Sequence, residues 1–108
     1  MSFLFALQIN SAEKTRENKN LAIKEIALTI QNEIDLASKS SDGYHREFSL
    51  PRSILGSNYE ISVIEGLVYV RTTDGKYAIA LPVSVVEGEI QKGNNLIRKI
   101  EGVVYLNS

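Results

Sequence analysis

Six of the first nine residues, MSFLFALQI, are large and apolar (Met1, Phe3, Leu4, Phe5, Leu7, Ile9), and no charge appears before Glu13. The chain then turns polar through SAEKTRENKN before a second pattern begins. Ile23, Ile26, Ala27, Ile30, Ile34 and Ala37 recur at three- and four-residue spacing, which is the stripe of an amphipathic helix. Followed toward the N-terminus, the stripe is broken by Lys19 and Arg16 and resumes at Ala12, Ile9 and Phe5. Two starts fit this helix: a cap formed by Asn10 with Glu13, or a continuous run from Phe3. Run from Phe3 to Ser38, it would span ~54 Å at 1.5 Å per residue. Leu21 and Leu28 lie one heptad apart on its back, and read either as scattered surface leucines or as a contact for a neighbouring subunit or strand.

SSDG at 40–43 ends the helix, and the period then falls to two. YHREFSL alternates up to Pro51, and SILGSN reads as a connection. The stretch NYEISVIEGLVYVRTTDGKYAIALP holds two turn dipeptides, Glu65-Gly66 and Asp74-Gly75, between alternating runs. Pairing through each turn predicts the same inward face: Tyr59, Ile61, Val63, Val68, Val70, Ile79 and Leu81. It also sets Glu60 opposite Arg71 on the outer face, a favourable cross-strand charge pair. The heptapeptide IEGLVYV at 64–70 returns as IEGVVYL at 100–106, which reads as two hairpins with one packing solution. Tyr69 and Tyr105 occupy its matching position, as strand formers or as parts of an outer contact surface.

These elements predict a single α+β domain over 1–108. A long N-terminal α-helix (1–38) packs on an antiparallel β-sheet (44–107), a meander of about five or six strands.

Composition narrows the function classes. A net charge of −1 argues against nucleic acid as a partner. With no cysteine there is no disulfide framework or thiol nucleophile. One histidine, His45, excludes a multi-histidine metal site within the chain, and it reads as an exposed strand residue with Glu47 its only local carboxylate. Glu87 and Glu89 share a strand face but read as the solvent side of a hairpin. No phosphate loop, nucleophile elbow or zinc spacing occurs. The expectation is a non-enzymatic protein with no cofactor and no metal. The first nine residues are too short to cross a bilayer, which takes ~20 apolar residues, and lack the basic start and small-residue cleavage site of a signal peptide.

An apolar segment feeding a long amphipathic helix, followed by an antiparallel sheet without a catalytic motif, resembles the soluble part of a type IV pilin-like protein. The likeness is to the archaeal kind with class III signal peptides. It is carried by FLFALQINSAEKTRENKNLAIKEIALTIQNEIDLA, SSDGYHREFSLP and GNNLIRKIEGVVYLN, which together cover more than half the chain. The resemblance implies that FLFALQI is the remnant of a longer hydrophobic helix, with Met1-Ser2 added in front. That helix would hold the subunit in the membrane and pack into a filament core, with the sheet facing outward.

The expected function is therefore a structural subunit of a surface filament or membrane-anchored pilin-like assembly. Phe3, Leu4, Phe5, Leu7 and Ile9 would anchor it, and Leu21, Leu28, Tyr69 and Tyr105 are candidate subunit contacts. Its partners would be further copies or other pilin-like subunits, and the membrane through a missing upstream segment. Its location would be the cell surface, or the cytoplasm if the chain is complete as given. The alternative is a soluble protein-binding module that uses an open sheet edge or outer sheet face.

Overall fold

The computed structural model describes residues 11–108, with side chains from Asn18 onward. Helix α1 spans Ser11–Lys39. All six stripe residues from Ile23 to Ala37 are buried, as their spacing predicts. Residues without Gly or Pro allow the helix to run to Lys39, and the hydroxyl of Ser40 just beyond it donates back to the Leu36 carbonyl. Gly43 then adopts a positive φ in the exit turn. Lys99 secures this end from the sheet: its ammonium donates to the Ser38 and Ser40 carbonyls at 2.7 and 2.8 Å. These are the orphan acceptors and the negative dipole end of a helix C-terminus.

Seven strands follow: β1 (His45–Leu50), β2 (Tyr59–Ile64), β3 (Leu67–Thr72), β4 (Ala78–Pro82), β5 (Val86–Gly88), β6 (Gly93–Ile100) and β7 (Val103–Leu106). They form two sheets, one of order β1-β6-β7-β5 and one of order β2-β3-β4. This corrects the expected single meander of five or six strands. The three-stranded sheet is the predicted meander, in the predicted register: Ile61 faces Val70, Val63 faces Val68, Val70 faces Ile79 and Val68 faces Leu81. The four-stranded sheet is assembled at long range. β1 pairs antiparallel with β6, and β5 pairs parallel with β7. Pro82 closes β4, and the Val83 N–H is taken by Gly66 at the β2–β3 turn, so the chain leaves the meander and crosses to the other sheet.

α1 lies on both sheets, touching β3 and β4 of one and β6 and β7 of the other. Its stripe meets Tyr59, Val68 and Val70 from the first, and Leu50, Ile97, Val104 and Leu106 from the second, in one core. Each large aliphatic side chain buried there stabilises the fold by roughly 1.5–3 kcal/mol.

The two repeated heptapeptides make equivalent hairpins in different sheets. Glu65 and Gly66 both have positive φ, as do Glu101 and Gly102, and Ile64 faces Leu67 as Ile100 faces Val103. That is the type I′ geometry whose twist suits antiparallel strands. The Asp74-Gly75 turn is stitched by its own side chain. Asp74 Oδ1 accepts from the Thr72 hydroxyl at 2.7 Å and from the Lys76 N–H at 2.9 Å.

GNN at 93–95 opens β6, with Asn95 buried. Its amide donates to the Gln91 and Gly93 carbonyls, and its Oδ1 accepts from the Gln91 N–H and the Asn107 amide. Asn107 also bonds Leu96 N–H and the Glu89 carbonyl, so the β5–β6 connection is tied to the end of β7.

Candidate assembly surfaces

Three kinds of surface arise from this layout: the back and N-terminal part of α1, the outer faces of the sheets, and the free edges. α1 has 29 residues, and Lys19 places its ammonium 5.9 Å from the centre of the Tyr77 ring, in the turn between β3 and β4. The helix therefore continues for eight residues, Ser11 to Asn18, or ~12 Å at 1.5 Å per residue, ahead of that contact. Phe3, Leu4, Phe5, Leu7 and Ile9 lie outside the described residues.

Leu21 is 54% exposed on the back of α1, joined there by exposed Leu36, while Leu28 is half-buried. Tyr69 is 42% exposed on the outer face of β3, with Ser62 beside it on β2 and Ala80 on β4. Tyr105 is half-buried on the outer face of the other sheet, in a row that runs His45, Arg98, Tyr105, Glu87 across β1, β6, β7 and β5. The two tyrosines thus hold equivalent hairpin positions on separate sheets.

Exposed apolar side chains on these outer faces come from the repeat itself: Ile64 and Tyr69 from one copy, Ile100 and Val103 from the other. Alternation places Val68, Val70, Val104 and Leu106 inside and these residues outside. Glu60 and Arg71 form the predicted cross-strand pair, 2.7 Å apart. The free edge of β2 borders a groove of about 280 Å³ lined by Ile61, Ser62, Val63, Ile64, Glu89 and Ile90.

His45 is exposed, its Nδ1 3.4 Å from the Gly43 carbonyl. Asp74 is held below its usual acidity range, first by the Lys76 N–H and then by the Thr72 hydroxyl, which is the work of a turn. Burial raises the Tyr59 phenol, whose hydroxyl donates to the Pro51 carbonyl. Among the described residues, no group of three or more His, Cys, Asp or Glu is placed to hold a metal ion.

Pattern reading missed Glu33, a 6% exposed carboxylate at the border of the buried face of α1. Its Oε1 meets Arg46 Nε of β1 at 3.1 Å, and its Oε2 has no hydrogen-bond partner among the described residues. At position 33 it sits beside the apolar stripe, a signal that only knowledge of β1's place could have made readable.

No family model matches the chain, and no curated protein or solved structure matches it either. Among the described residues, no helix is long and apolar enough to cross a membrane.

Proposed function

We propose that this chain is a non-enzymatic structural subunit of a pilin-like assembly, joined to other copies or to other pilin-like subunits through its N-terminal helix. The observation that carries the reading is α1 itself, which reaches back to Ser11, next to the apolar Phe3–Ile9 segment of the sequence. A helix that leads back to an apolar segment is an element through which neighbours can associate, and large apolar side chains favour burial at ~25 cal/mol per Å2. In a surface filament or a membrane-anchored assembly, Phe3, Leu4, Phe5, Leu7 and Ile9 supply that burial, while the two sheets face outward. Leu21, Leu28, Tyr69 and Tyr105 are secondary contacts between subunits. Sedimentation velocity over a hundredfold concentration range tests this. The full chain is expected to associate and a variant lacking Met1–Ile9 to stay monomeric; a full chain that is monomeric throughout overturns the proposal.

The groove along the free edge of β2 favours a second reading, a binding module that accepts a partner strand. Association that survives loss of Met1–Ile9 but is abolished by Ile64→Lys, which puts a charge on that edge, supports it instead.

A further inference from the structure

Among the described residues, β1, β2, β4 and β5 each have one edge without a strand neighbour. Three of these edges are protected in ways that discourage pairing. β1 opens with His45, Arg46 and Glu47. β4 packs against α1 and ends at Pro82, whose carbonyl accepts from the Gln31 amide at 2.9 Å. β5 is three residues long and ends at Gly88. β2 has no such protection, since its one charge, Glu60, is engaged by Arg71 of the neighbouring strand.

The backbone of β2 makes that edge usable. Thr72 N–H bonds the Tyr77 carbonyl and Val83 N–H bonds the Gly66 carbonyl. Alternation along β3 then joins Val68 and Val70 to β4, and Leu67, Tyr69 and Arg71 to Ile64, Ser62 and Glu60 of β2. The N–H and C=O groups of Ile61 and Val63 are left directed at the free edge. Their side chains belong to the inner face, yet both are only half-buried, while Val70 and Val68 opposite them are fully buried. Glu89 and Ile90 form the far wall of the groove along this edge. An apolar groove with free backbone groups along one wall is completed by an extended chain.

A segment of matching character stands at the start of the sequence, outside the described residues. Phe3, Phe5, Leu7 and Ile9 alternate with Leu4, Ala6 and Gln8, without a charge or a proline, over a length close to that of β2. Chain length decides whose groove it can fill. α1 runs alongside β4 in the same direction, with Lys19 near Tyr77 and Gln31 at Pro82, and Tyr59 is level with Tyr77 through Thr72. Ser11 therefore lies ~12 Å beyond the Tyr59 end of β2, at 1.5 Å per helical residue. Asn10 alone joins Ile9 to Ser11, and one residue spans at most ~3.6 Å. The segment is too short to lie along β2 of its own copy.

We propose that Phe3–Ile9 of one copy pairs with the free edge of β2 in the next copy, with Phe3, Phe5, Leu7 and Ile9 turned inward beside Ile61 and Val63. This deepens the assembly reading above and rests on it. Donor segment and acceptor edge are different surfaces, so the contact is head-to-tail and propagates rather than closing in a two-fold dimer.

Sedimentation velocity on variants of the full chain tests this. Val63→Pro removes an outward N–H while sparing the hydrogen bonds between β2 and β3, so it disables the acceptor. Phe5→Lys with Leu7→Lys disables the donor, and Ala6→Lys with Gln8→Lys adds the same charge on the other side of the alternation. Circular dichroism checks each fold. The acceptor and donor variants should each associate at least about tenfold more weakly than the wild type. An equimolar mixture of those two should form a one-to-one complex, and the Ala6 and Gln8 variant should associate normally. Hydrogen exchange of the wild type needs no substitution: the Ile61 and Val63 amides should slow about tenfold as rising concentration brings copies together. Association lost in the donor variant but kept in Val63→Pro, with those amides still exchanging freely, overturns this contact and leaves the assembly reading standing. Association kept in the donor variant, a mixture that forms no complex, or an Ala6 and Gln8 variant as weak as the donor variant also overturns it. A wild type that stays monomeric overturns both.

Discussion

Gly88 is the position where a single added methyl should do most harm. It lies on β5 with φ of +95°, and a Cβ there would fall well inside the carbonyl oxygen of Leu106 on β7, and 2.9 Å from its carbon. Both obstacles are backbone, so no rotamer change relieves them. Gly88→Ala therefore incurs the positive-φ strain of an L-residue, roughly 1–2 kcal/mol. Relieving the overlap costs about 1–3 kcal/mol more. The cost has a ceiling, because β5 can peel from β7 and sacrifice only its three-residue ladder. The expected total is about 2–4 kcal/mol, a large part of a stability of roughly 5–15 kcal/mol. Gly102→Ala is the control. Its φ is +81° but nothing lies within 4 Å of the added carbon, so only the strain remains. Urea unfolding followed by circular dichroism reads both losses on one scale. Gly88→Ala should lose clearly more than Gly102→Ala. Equal losses would refute the close approach of β5 to β7.

Arg46→Met strands the buried Glu33 carboxylate. Since Arg46 is more than half exposed, the loss is expected to be about 1–2 kcal/mol rather than the full value of a buried pair. Adding Glu33→Met should recover most of it in the same urea assay. Lys99→Met removes the donor to the Ser38 and Ser40 carbonyls and should cost about 1 kcal/mol. It should also raise hydrogen exchange in the last turn of α1. Asp74 contributes an acid-dependent part of the stability. Its folded acidity constant lies below the usual 3.8, so its contribution is complete above that value and is lost as pH falls through the lower, folded one. Asp74→Asn should therefore flatten the stability profile below about pH 4, with little slope changed at neutral pH; an unchanged acid limb would contradict the turn geometry.

Local signals were the legible part of this chain. The period of the Ile23–Ala37 stripe identified the buried face of α1, and the Glu65-Gly66 and Asp74-Gly75 dipeptides set the β2-β3-β4 register, down to Glu60 facing Arg71. Such patterns are readable because helix and hairpin contacts join residues a few positions apart. The β1–β6 pairing joins His45 to Arg98, and its choice depends on which edges remain free once everything else is packed. The parallel β5–β7 pair was equally hidden, since three residues ending in a glycine carry no usable period.

The same division holds for the candidate surfaces. Sequence placed Tyr69 and Tyr105 at matching hairpin positions, yet only the fold assigned them to different sheets, one exposed and one half-buried. Periodicity determines which face of each element is apolar, since that is written in neighbouring residues. Strand partner choice and the second sheet were decided by tertiary structure, where side chains far apart in the chain compete for one core and its free edges.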